Sequence, residues 1–98
     1  MKRRYHVSTR AARDLADIAT YTQHTWGTPQ RREYLSQLET AMNNIADNPE
    51  IGIARLELPG LRSLNCGSQV IFYALQHDKV FVVRVLHRRQ DPRRQFDS

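Results

Sequence analysis

Three side chains of this sequence carry the groups that cleavage of an RNA strand needs: Glu57, Arg62 and His87. One could deprotonate a 2′-hydroxyl, another stabilise the phosphorane, and the third protonate the leaving oxygen. Their spacing gives no sign that they converge. The stronger signal is cationic. Arg62, Arg84, His87, Arg88 and Arg89, followed by Arg93 and Arg94, crowd the second half of the chain, while Lys2, Arg3 and Arg4 open it. Such a cluster fits phosphates or an acidic protein segment. A solvated tail with scattered surface charge is the plainer alternative. Arg84 interrupts the apolar run Val80 to Leu86, where a charge is costly unless paired or exposed. A carboxylate such as Glu57 or Asp17 is therefore expected beside it. His87 ends the same run and is a candidate proton donor, although a lone histidine at a strand end is more often structural.

Other chemistries find no support. No Ser-His-Asp or Cys-His order stands out, so no catalytic set is assigned. The histidines, His6, His24, His77 and His87, lack metal-ligand spacing, and the four scattered glycines form no phosphate loop. No cofactor and no metal are expected.

The 98 residues allow one domain, with residues 88–98 as a basic C-terminal tail. The chain is 40% apolar and 26% charged, as a folded soluble protein would be. Its net charge is +5, and thirteen of the fifteen basic residues are arginine. Arginine makes planar, two-pronged contacts to carboxylates and phosphates, which points to a polyanionic or acidic partner. The longest apolar stretch, Val80 to Val83, is far short of the ~18 residues a membrane helix needs. The basic start has no apolar run behind it, so no signal peptide is expected. The single cysteine, Cys66, reads as a small buried side chain in a reducing, cytoplasmic setting.

The elements that must carry these groups follow from periodicity. Residues 4–7 alternate as a short strand. Ser8 can cap a helix, and Leu15, Ile18, Ala19, Thr22 and Trp26 then line one face up to Trp26, with Arg13, Asp14 and Asp17 facing water. Gly27 stops this helix. Thr28 as cap and Pro29 as first residue start a second, with Leu35, Leu38, Met42 and Ile45 as its stripe and Asn48-Pro49 as its end. So short a joint folds the two helices into an antiparallel hairpin. Residues 49–60 read as linker. Three strands follow, over 61–66, 69–76 and 80–87, the last two as a hairpin around His77-Asp78-Lys79. The expected fold class is α+β: an N-terminal strand, an antiparallel α-hairpin, then a three-stranded antiparallel sheet, in two layers.

Tyr5, Tyr21, Trp26, Tyr34, Phe72, Tyr73 and Phe81 are most simply core. Trp26 and Tyr34 flank the helix joint, and one or both could form an exposed apolar ledge for a partner helix.

Six segments taken in order carry a resemblance. They are Ala12 to Ile18 (ARDLADI), Trp26 to Gln30 (WGTPQ), Asn48 to Gly52 (NPEIG), Gly60 to Leu64 (GLRSL), Ile71 to Tyr73 (IFY) and Val83 to Asp91 (VRVLHRRQD). Together they resemble ParE toxins of the RelE/ParE superfamily. The resemblance implies the same strand, helix hairpin and antiparallel sheet. It further implies the toxin half of a type II toxin–antitoxin module, in a hetero-oligomer with a small, acidic, partly disordered, ParD-like antitoxin whose flexible segment wraps it. It implies DNA gyrase as target, poisoned by binding rather than by catalysis; the basic end, Arg62, Arg84, His87, Arg88 and Arg89, is the surface expected to meet that target. Tyr21, Trp26 and Tyr34 are the matching candidates for the antitoxin. RelE-like relatives instead cut mRNA on the ribosome. Against that alternative, His87 is followed by Arg88 where the nucleases place tyrosine, and their central lysines are missing. A third reading is a small adaptor that grips nucleic acid through its arginines and does no harm to a cell.

Overall fold

The computed structural model describes residues 5–96. Chain order is β1 (Tyr5–Val7), α1 (Thr9–Trp26), α2 (Thr28–Asp47), a 3₁₀ turn (Pro49–Ile51), β2 (Ile53–Ala54), β3 (Arg62–Cys66), β4 (Gln69–Gln76), β5 (Lys79–His87) and α3 (Pro92–Phe96). The strands form one sheet in the order β1-β5-β4-β3-β2. β1 lies parallel to β5, from Tyr5 opposite Val80 to Val7 opposite Val82, and every other pairing is antiparallel.

The α+β class holds, and the detail extends it. The N-terminal strand joins the sheet instead of standing apart. The segment 49–60, expected as linker, contributes the 3₁₀ turn and a two-residue edge strand. The basic tail carries α3. Arg4 and the cluster Lys2-Arg3-Arg4 lie outside the described residues, as do 97–98.

Each helix end has a local cause. Ser8 accepts the Ala11 amide at 2.9 Å and donates its hydroxyl to the Val83 carbonyl at 2.9 Å, so one side chain caps α1 and ties it to β5. A single residue joins α1 to α2. Gly27, at φ +94°, donates to Gln23 O and accepts from the Arg31 amide. The second helix is thus capped by Gly27, without a side chain, and Thr28 is its first residue rather than its cap.

The helix hairpin packs its stripe on one face of the sheet. Ala11, Leu38, Met42 and Ile45 meet Ile71, Tyr73, Val80, Val82 and Val85 in the main core. Tyr73 is fully buried; its hydroxyl donates to Pro49 O at 2.5 Å and accepts the Gly52 amide at 2.9 Å, pinning the start of the linker to the sheet. A Cβ at Gly52 would fall on the Tyr73 ring, 2.8 Å from Cε1, and 2.9 Å from Ser63 O, so glycine is required there. The opposite face has a smaller core of Val70, Phe72 and Leu86, covered by Leu58, Val83 and Phe96. Phe96 of α3 meets Phe72 edge-on at 5.6 Å.

A β-bulge sets which residues of β5 face which core. Phe72 pairs with Arg84 but Tyr73 pairs with Val82, leaving Val83 as the extra residue. Val80 and Val82 face the helices before it, Val85 after it. Without that shift of parity Arg84 would point into the main core. No helix among the described residues is long and apolar enough to cross a membrane.

Candidate functional site: a groove beside the open edge of β5

β1 ends opposite Val82, so from Val83 to His87 the strand β5 has a strand partner only on its β4 side. α1 passes alongside this open edge. Between them runs a cavity of about 920 Å³. One wall is the α1 face of Asp14, Ile18, Tyr21 and Trp26. Gln30 and Tyr34 of α2 close one end, Ser68 and Gln69 of the β3–β4 turn lie at the base, and Val85, His87 and Gln90 form the other wall.

The open edge is not left bare. Asp14 accepts from Arg84 Nε at 2.8 Å and Nη2 at 3.1 Å, and from the Val85 amide at 2.9 Å. Gln90 Oε1 accepts the His87 amide at 2.8 Å. Arg84 also donates to Gln95 O of α3 at 3.3 Å. Arg84 is thus the paired, buried arginine that its apolar run demands, but its partner is Asp14, not Glu57 or Asp17. Asp14, expected on the wet face of α1, is buried with it; the two side chains are 12% and 8% exposed. The guanidinium of Arg84 is thus already held by a carboxylate.

Arg62 is committed as well. Its guanidinium donates to Gly52 O and to Glu50 O, bracing the loop before β2. Glu57 sits on the neighbouring loop with Arg55 at 2.6 Å. The hydrogen bond from Arg55 holds the Glu57 carboxyl below the usual carboxylate range, which suits an ion pair and not a proton acceptor. The sheet register separates two of the three candidate cleavage groups, Arg62 and His87. Arg62 pairs with Tyr73, whereas His87 pairs with Gln69, four residues away along β4 and two strands across from Arg62. That places their backbones about 17 Å apart. Arg62 and His87 therefore do not share one site, and the carboxylate of Glu57 is taken by Arg55.

His87, Arg88 and Arg89 do lie together, on the turn that leaves β5. His87 Nδ1 accepts the Arg89 amide at 3.1 Å, the Arg88 amide donates to Ser68 O, and the Gln90 amide returns to His87 O. Asp91 accepts the Arg93 amide at 3.0 Å and starts α3. A hook results, with Arg88, Arg89, Arg93 and Arg94 inside seven residues of chain, all four exposed.

The aromatic expectations divide. Phe72 and Tyr73 are core. Tyr21 and Trp26 are not: they are 66% and 68% exposed and form the lip of the groove. The apolar stripe of α1 continues in sequence for one turn after its cover has ended. Tyr34 is half-buried and has a structural duty, its hydroxyl lying 3.3 Å from both Cys66 O and Ser68 Oγ, with its ring against Gly67. Burial pushes the nearby Cys66 thiol above its ordinary range. Asp14, Gln69 and Gln90 escaped the sequence reading. For Asp14 there was a signal, since an arginine in an apolar strand requires a carboxylate. For the two glutamines there was none. Among the described residues no three His, Cys, Asp or Glu side chains group to hold a metal.

Comparison with known proteins places this architecture. The family described as "ParE toxin of type II toxin-antitoxin system, parDE" matches residues 5–92. Toxin ParE1 of Mycobacterium tuberculosis is 41% identical over 93 residues, covering 93% of this chain and 95% of that protein. The chromosomal ParDE system of P. aeruginosa contains a chain of like fold, with a TM-score of 0.77 at 16% identity over 88% of this chain and 96% of that one. The toxin–antitoxin complex RelBE2 of M. tuberculosis contains another, with a TM-score of 0.66 at 26% identity over 92% of this chain and 95% of that one.

Proposed function

The chain belongs to the ParE toxin family of type II toxin–antitoxin systems, and from that membership we propose that it arrests growth by binding DNA gyrase, without cutting any bond itself. The observation that carries this reading is the separation of Arg62 from His87: a phosphate clamp and a general acid must meet within hydrogen-bond reach of one substrate, and these two lie on different strands with their backbones about 17 Å apart. The target surface is the hook of His87, Arg88 and Arg89. Arg62 and Arg84, which the sequence grouped with them, serve that surface only by holding the fold behind it.

The antitoxin takes the groove. An acidic, partly disordered segment that orders on binding suits a chain of net charge +5. Tyr21 and Trp26 give it an aromatic lip to close on, and Tyr34 closes the end of the groove. The pair forms a hetero-oligomer in the cytoplasm.

Purified toxin in excess is expected to stop gyrase from supercoiling relaxed plasmid and to raise the linear, cleaved form. Charge reversal at Arg88 and Arg89 together is expected to abolish both effects while leaving the melting temperature unchanged. Supercoiling that proceeds untouched overturns the proposal. Sharply positioned mRNA breaks in translating extracts, lost in His87→Ala, would replace it with the RelE-type endonuclease reading that the RelBE2 likeness represents.

A further inference from the structure

Among the described residues one buried side-chain polar atom has no hydrogen-bond partner: Oε1 of Gln69. The residue is 8% exposed, opens β4, pairs with Cys66 on one side and His87 on the other, and lies at the base of the groove. Several polar groups along the same groove are already engaged. Tyr34 Oη is shared between Cys66 O and Ser68 Oγ, Asp14 accepts three bonds, and the His87 amide goes to Gln90. A buried acceptor without a donor destabilises a fold, and an apolar residue of similar size would avoid that cost. Here the acceptor is retained in the wall of a groove, beside an open strand edge and below two exposed aromatic rings.

A carboxamide offers one acceptor and two donors in a plane, the complement of the N–H and C=O that one residue of an extended strand turns to the same edge. The last torsion of a glutamine side chain is broad, so the amide can turn to present both ends to the groove at little cost. We propose that Gln69 is a backbone clamp: its carboxamide accepts the N–H and donates to the C=O of one residue in an extended segment of the antitoxin, the two groups that a strand presents on the same edge. This rests on the reading above that the antitoxin occupies the groove. The clamp reads main chain, not sequence. It therefore fixes the segment's depth and register, while Tyr21 and Trp26 hold an apolar side chain beside it. Positioning is its role, and it explains why a polar group stays buried in the free toxin.

The test uses the purified full-length toxin and the antitoxin encoded with it. Gln69→Leu is expected to leave the free toxin's melting temperature unchanged or raise it, while weakening the complex about ten- to a hundredfold by titration calorimetry. In the wild-type chain, the Gln69 carboxamide proton resonances should shift and exchange more slowly with water once antitoxin is added, a readout that does not depend on how the variant folds. A tight wild-type complex that Gln69→Leu binds equally well, with carboxamide signals unmoved, overturns the clamp alone. A wild-type toxin that does not bind the antitoxin overturns the groove assignment and the clamp with it.

Discussion

Asp14 accepts three hydrogen bonds, two from the Arg84 guanidinium and one from the Val85 amide, and so joins α1 to β5 where β1 no longer does. Removing one partner of such a pair leaves a buried charge uncompensated. Asp14→Ala is therefore expected to lower stability by about 3–5 kcal/mol in urea unfolding. Joint replacement by Asp14→Leu and Arg84→Met should recover most of that loss, short of the bond to the Val85 amide, because well-packed apolar groups can substitute for a buried ion pair. An equal loss in the double variant would show that the residues do not act as a pair. At this scale the sequence was half legible. An arginine inside Val80–Leu86 announces a need for a carboxylate, but its identity depends on the bulge at Val83, and Val82, Val83 and Val85 are chemically alike. Nothing in the pattern marks which one is extra.

The elements that could be read in advance are those long enough to show a period. α1 and α2 span 18 and 20 residues, and β4 and β5 span 8 and 9. β2 has two residues and α3 five, too few for any repeat to emerge, and the four arginines around α3 disguised it as a solvated tail. Yet α3 has a packing duty, since Phe96 covers Phe72 on the back of the sheet and Gln95 O takes a bond from Arg84. Phe96→Ala is expected to cost about 1–3 kcal/mol, less than a fully buried phenylalanine because Phe96 is only half-buried. Thermal unfolding would measure it. An unchanged melting temperature would mean that α3 only displays arginines. The site was less legible than the fold. Tyr21 and Trp26 have the spacing of core residues, and only the three-dimensional extent of the cover decides that they stand outside it.

For the molecule as a whole, a net charge of +5 carried almost entirely by arginine governs encounters before any contact forms. Association with an acidic antitoxin should slow by about tenfold between low and high salt, while dissociation from the groove changes little, because screening acts on the approach and less on desolvated contacts. Stopped-flow mixing would separate the two, and a salt effect confined to dissociation would contradict this. A further consequence comes from where β5 sits. It is the last strand made, yet it lies between β4 and the first strand, so Tyr5 waits for Val80 before it has a neighbour. While the nascent polypeptide is still emerging, β1 is orphaned and the groove has only one side. A chain cut short anywhere ahead of Val80 therefore lacks both the neighbour of Tyr5 and the second wall of the groove, so neither can form until β5 has been made.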